Sequence, residues 1–384
     1  MRGWRRGLVG LAGFLMCSCP AVRALAASWV VADARTGAIL AEADGDRVAG
    51  GGAAVHLLIL LSAFEQAKLG ILPLDVPVSV DPRSLSELAG RRTEPVRLSG
   101  QRTYLLSDLL KAVFLARSDL AAVAAAEAMW GSRETAIEAL NERAARLGLH
   151  ATRVVTLFRD DPNNTTSPHD LARLGHVLLQ DCAEVRGWGQ LRGIPFDDGR
   201  LVLGNQHLAP PAPGTWAFFD RFVEPKKKKV FQRAGILLRE ENGLELLGVW
   251  LGEDEVVAAL SELVGVLQDT LARYEPVSMV RAGDPLKIAV TVEGGTEPAI
   301  VPIAAEDVRI PVPKGTETQV ELLMQVPSVV TAPVARGEQL GEVVVRLGGR
   351  VVAVVPAVSP KTVGSRGVRS AEVQLPKRAG VGVQ

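Results

Sequence analysis

All six tryptophans lie before Tyr274. Beyond it the chain is rich in valine and proline and breaks into short apolar runs divided by turn residues. This shift marks a boundary between a mixed α and β unit over residues 27–275 and a small all-β unit over residues 276–360. Residues 1–26 and 361–384 are set apart from both.

Residues 1–26 read as a secretory signal peptide. Arg2, Arg5 and Arg6 supply the charged start, Gly7 to Met16 an apolar stretch too short to span a bilayer, and Pro20 a break. Ala24-Leu25-Ala26 supplies the small residues of a cleavage site before Ala27. The expected destination is the periplasm or cell envelope. A lipoprotein carrying its lipid on Cys19 is the alternative, although Met16 stands where a leucine is usual. No later segment reads as membrane-spanning, so no stable membrane insertion is expected after cleavage. The remaining chain keeps one cysteine, Cys182, and cannot form an intramolecular disulfide, so core packing must stabilise it. Formal net charge is zero, which gives no global field toward nucleic acid. The five histidines show no ligand spacing, and neither a metal nor a cofactor is expected.

Local signals outline the first unit. Trp29 to Asp33 and Ala38 to Leu40 flank Arg35-Thr36-Gly37 as a hairpin. Ala53 to Lys68 reads as an apolar helix stopped near Gly70. Ser107 to Phe114 reads as a short helix, Leu120 to Trp130 as a buried one, and Glu134 to Leu147 as an amphipathic one. Ser167-Pro168-His169-Asp170 is a helix start, with a serine cap, proline in the first turn and aspartate at the positive end of the dipole. Asn242-Gly243 between Val230 to Arg239 and Leu244 to Leu251 predicts a tight hairpin, and Val256 to Tyr274 a closing helix.

In the second unit, strands are expected at Ile288 to Val292, Val308 to Val312, Thr318 to Leu323, Gly341 to Leu347 and Val351 to Val355. They would form an antiparallel sandwich. Lys361 to Gln384 is basic, lacks an apolar face and is expected to be a disordered tail.

The order of these segments resembles the penicillin-binding protein 5 type of D-alanyl-D-alanine carboxypeptidase. The resemblance is carried by Asp33 to Glu42, Asn141 to Leu149, Ser167 to Leu174, and Ala332-Pro333-Val334 with Gly341 to Val355. It implies an α+β penicillin-recognising serine hydrolase domain followed by a small all-β sandwich. It also implies an ancestral substrate, the D-Ala-D-Ala terminus of peptidoglycan stem peptides. The family's amphipathic C-terminal helix has no counterpart in the basic tail.

Family catalysis uses three motifs. Ser-x-x-Lys at a helix start places nucleophile and activating amine on one face. Ser-x-Asn relays a proton and anchors substrate, and Lys-Thr-Gly on a strand edge binds the substrate carboxylate. Counted from the opening hairpin, the first motif falls on Ala53-Ala54-Val55-His56, and the chain contains no Ser-x-x-Lys anywhere. The second falls near Arg117-Ser118-Asp119, with Ser118 one position late. Counted back from Ala234-Gly235, the third falls on Lys227-Lys228-Lys229, of which only Lys227 matches. Losing the nucleophile of a comparable serine hydrolase costs about a million-fold in rate.

The expected function is therefore that of a catalytically degenerate member, binding a peptidoglycan stem peptide or an envelope protein partner. One alternative is an active carboxypeptidase with a displaced site. Another is a purely structural scaffold docking through the β unit. His56, Arg117, Ser118 and Lys227 are the ligand-binding residues to examine, the first, second and fourth as an anion site partly cancelled by Asp119. His56 alone reads as a helix-start histidine with no partner. A makeshift trio of Ser118, Asp119 and His56 would require adjacent residues to converge from one loop.

Overall fold

The computed structural model describes residues 28–88, 95–207, 216–224, 229–315 and 320–366. The expected signal peptide and Cys19 lie outside them, as does Lys227.

The first unit is built on five antiparallel strands. β1 (Ser28–Asp33) and β2 (Ile39–Ala43) form the opening hairpin, and β3 (Trp216–Glu224), β4 (Lys229–Glu241) and β5 (Leu244–Glu255) follow late in the chain. The sheet order is β2-β1-β5-β4-β3, so the first strand pairs with the last. The β4–β5 turn sits on Asn242 and Gly243, both with positive φ (54° and 80°), as a two-residue hairpin requires.

Both faces of this sheet are covered, so its strands run apolar without alternation. Val30, Ala32, Ile236, Leu238 and Val249 pack into a large helical layer on one side. Their neighbours Val31, Leu237, Leu246 and Trp250 pack on the other side against Ala259, Leu263 and Leu267. Gly248 lies under that second layer, where a Cβ would stand 2.9 Å from the Leu263 side chain.

The large layer holds α1 (Gly52–Lys68), α2 (Asp119–Trp130), α3 (Arg133–Arg146), α4 (Pro168–Asp181) and α5 (Ala183–Trp188). α1 is buried from Gly52 to Phe64 and runs through the centre. Ser132 and Ser167 cap α3 and α4 by accepting the backbone N–H of Thr135 and Asp170. The helix expected over Ser107 to Phe114 is Leu106–Lys111, after which the coil widens into a π-helical turn at Ala112–Ala116. On the opposite face lies α6 (Val256–Arg273).

The second unit begins where α6 passes directly into β6 (Tyr274–Val280). β7 (Val290–Glu293), β8 (Val308–Pro313), β9 (Val320–Gln325), β10 (Val329–Thr331), β11 (Gln339–Leu347) and β12 (Arg350–Val358) complete it with two shorter strands. Its apolar residues form two clusters of their own, one around Ile310, Val343 and Val345, the other around Val290, Val334 and Val363. Two expectations need correction. The pairing is not wholly antiparallel, because β7 and β10 run parallel. Nor does the ordered chain stop before Lys361: Val363 is fully buried and exchanges backbone hydrogen bonds with Val334. That short segment lacks an amphipathic face but still supplies one valine to a ready-made apolar slot. Residues 367–384 lie outside those described.

Candidate functional site

The start of α1 is set by close backbone approach. A Cβ on Gly51 would fall 2.4 Å from the Thr165 carbonyl oxygen, and one on Gly52 2.0 Å from that of Arg159. Two glycines therefore let the helix begin against the loop from Leu157 to Thr165. Ala53 and His56 follow one turn apart on one face, at 2% and 0% exposure. A methyl group and an imidazole thus stand where the resemblance places nucleophile and amine.

His56 has a partner, contrary to its reading from sequence. Its Nε2 lies 3.1 Å from Oδ1 of Asp119, the first residue of α2. The same carboxylate oxygen accepts the Arg159 backbone N–H at 3.2 Å and lies 3.5 Å from Arg159 Nε. Arg159 Nε donates to the Arg117 carbonyl at 3.1 Å, and its Nη1 donates to Asp220 Oδ1 on β3 at 3.1 Å. All four side chains are under a tenth exposed. Two carboxylates, one guanidinium and one imidazole therefore form an internal ionic cluster drawn from α1, the α2 start, the 157–165 loop and β3.

Burial by itself would push the Asp119 carboxyl up, but the His56 hydrogen bond, the His56 charge and Arg159 outweigh it and hold it below its ordinary value. For Arg159 too, burial opposes the charge, and Asp220 and Asp119 more than restore it.

Ser118 does not complete a trio with these two. Its Oγ accepts the Ala121 backbone N–H at 3.0 Å as the cap of α2. Nδ1 of His56 has no hydrogen-bond partner among the described residues, so Ser118 Oγ does not reach it. Arg117 sits in the left-handed region (φ 58°) and is joined to the cluster through its backbone carbonyl. The expected anion site therefore has His56 facing Asp119, while Lys227 lies outside the described residues. Among the described residues no group of His, Cys, Asp and Glu could hold a metal ion.

Sequence reasoning missed Arg159 and Asp220. Asp220 carried a faint signal, an acid directly after the aromatic run Trp216-Ala217-Phe218-Phe219 of a buried strand. Arg159, on a loop, carried none.

A central antiparallel sheet with a helix start carrying the first motif position, followed by a separate β unit, defines the class of penicillin-recognising serine peptidases. The D-alanyl-D-alanine carboxypeptidase family profile matches residues 17–190, and that of the penicillin-binding protein 5 C-terminal domain matches residues 274–365. D-alanyl-D-alanine carboxypeptidase DacA of Haemophilus influenzae is 24% identical over 68% of this chain and 66% of its own length. DacC of Escherichia coli is 23% identical over 94% and 92%. The crystal structure of penicillin binding protein 5 from Haemophilus influenzae superposes with a TM-score of 0.65 at 20% identity, covering 88% of this chain and 97% of that one. The chain belongs to the penicillin-binding protein 5 type of D-alanyl-D-alanine carboxypeptidase family.

Proposed function

We propose that this chain is a non-hydrolysing member of its family. It serves in the bacterial envelope by holding a peptidoglycan stem peptide or an envelope protein partner. The carrying observation is the α1 start, where Ala53 offers only a methyl group and His56 is bound to Asp119 inside the domain. A covalent serine mechanism needs a hydroxyl beside a group that can take its proton. Neither position supplies that pair, and Ser118 Oγ, the cap of α2, makes no hydrogen bond to His56.

Fluorescent penicillin and a peptide ending in D-Ala-D-Ala test this reading. The purified protein should show no covalent label and release no D-alanine. Labelling that disappears in Ser118→Ala would replace it with an active enzyme using a displaced site. The complete burial of His56 also favours a purely structural role. In that case, partner capture would be lost on deleting residues 276–384 and would survive substitution of His56, Arg117 and Lys227. Export fits the affiliation with cell-wall peptidases. N-terminal sequencing of the mature protein should begin at Ala27, and a blocked, lipid-bearing Cys19 would instead mark a lipoprotein.

A further inference from the structure

A cavity of about 490 Å³ lies between the two units. Its wall on the peptidase side carries Arg35, Arg186 and Glu245, and its wall on the β side carries Glu306, Asp307 and Arg309. The first wall has an excess positive charge and the second an excess negative one. Within the first wall, Glu245 is shared: Arg186 reaches it at 2.6 Å, whereas Arg35 stands 3.8 Å away. One nearly buried carboxylate thus serves two guanidiniums.

The backbone on either side of Arg35 is held by its neighbours. The Ala34 carbonyl accepts hydrogen bonds from His176 Nδ1 at 2.8 Å and Gln180 Nε2 at 2.9 Å. On the other side, the Asp33 carboxylate accepts the Thr36 hydroxyl at 2.6 Å and the Thr36 N–H at 3.1 Å. The turn that presents Arg35 is therefore fixed from both flanks. Opposite it, Asp307 is anchored by accepting the Ala282 N–H at 2.9 Å. Both poles rest on bonded backbone, which is the preorganisation a polar binding site needs.

We propose that this cavity binds a short zwitterionic peptide. Its carboxylate would meet Arg35 and Arg186, and its ammonium group Glu306 and Asp307. The volume falls within the range of small-ligand sites. Guanidinium–carboxylate pairing supplies direction at one end, and the two acids supply it at the other. The proposal does not depend on the fate of the ancestral catalytic site.

Trialanine, trialanine amide and N-acetyl-trialanine titrated into the full chain provide the test. Trialanine should bind saturably with one site. Removing either terminal charge should weaken it about tenfold or more, the usual effect of losing one charge-assisted hydrogen bond. Arg35→Gln should weaken trialanine but leave the amide unchanged. Glu306→Gln should weaken trialanine but leave the N-acetyl peptide unchanged. Equal binding of all three peptides, absence of saturable binding, or variants that bind trialanine like the parent would each overturn the proposal. If either variant fails to fold, the capped peptides on the parent protein still decide.

Discussion

Asp119 is the residue on which the interior of the peptidase unit turns. It joins His56 to Arg159, and Arg159 passes the link to Asp220. Removing one partner from a buried ionic cluster leaves the others uncompensated, and Asp119→Ala should cost about 3–5 kcal/mol in urea unfolding. Its carboxyl is held below the ordinary value of 3.8 in the folded state. The stabilisation it gives is therefore complete above that value and is lost as pH falls through the lower folded value. Asp119→Asn should flatten that part of the acid-unfolding curve, which urea midpoints measured from about pH 2 to 6 would reveal. Burial pushes the Cys182 thiol up to about 12. Iodoacetamide should accordingly alkylate it only as fast as the protein unfolds, and label at native pH that outpaces unfolding would contradict its burial. Of these residues, His56, Asp119 and Cys182 drew notice in the sequence. Arg159 did not, because a loop arginine gains meaning only from the carboxylates that the fold brings to it.

At the scale of elements, short-range chemistry explains most of what was legible. The serine cap at Ser167, Pro168 in the first turn and the Asn242-Gly243 hairpin each act within four residues, and each element forms where they stand. The start of α1 is different. Gly51 and Gly52 look like ordinary loop glycines, yet each faces a backbone carbonyl more than 100 residues away. Gly52→Ala must displace the Arg159 backbone and should lose about 2 kcal/mol or more in chemical denaturation. It should also loosen the ionic cluster, since Arg159 N–H and side chain share that loop. The β6 strand escaped the sequence reading because Tyr274–Val280 continues from a helix with no turn residue between them. The parallel β7–β10 pair escaped it because strand direction leaves no mark on local pattern.

At the scale of the whole molecule, the apolar residues of the two units form separate clusters among the described residues, and Tyr274 at the junction packs with the first unit. Tyr274 donates from its hydroxyl to the Leu40 carbonyl at 2.9 Å, and Lys314 Nζ reaches the Ala272 carbonyl at 2.8 Å. These contacts orient the β unit without merging its core with the first. Calorimetry should therefore resolve two unfolding transitions, and a peptide seated in the cavity between the units should bring them closer together. One transition with matching calorimetric and van't Hoff enthalpies would argue instead for a single cooperative body.

The sequence by itself determined the division at Tyr274, the Ser167 helix cap, the hairpins and the absence of a Ser-x-x-Lys motif. These depend on residue identity, backbone torsion and spacing, all of which act over a few bonds. Only the tertiary structure decided what the start of α1 is joined to. His56 and Asp220 stand 164 residues apart with Asp119 and Arg159 between them, and their charges count only because the packed sheet and helices bring all four within hydrogen-bond distance and exclude water around them. In a low-dielectric interior the meaning of an ionisable group is set by its neighbours, and the fold chooses those neighbours.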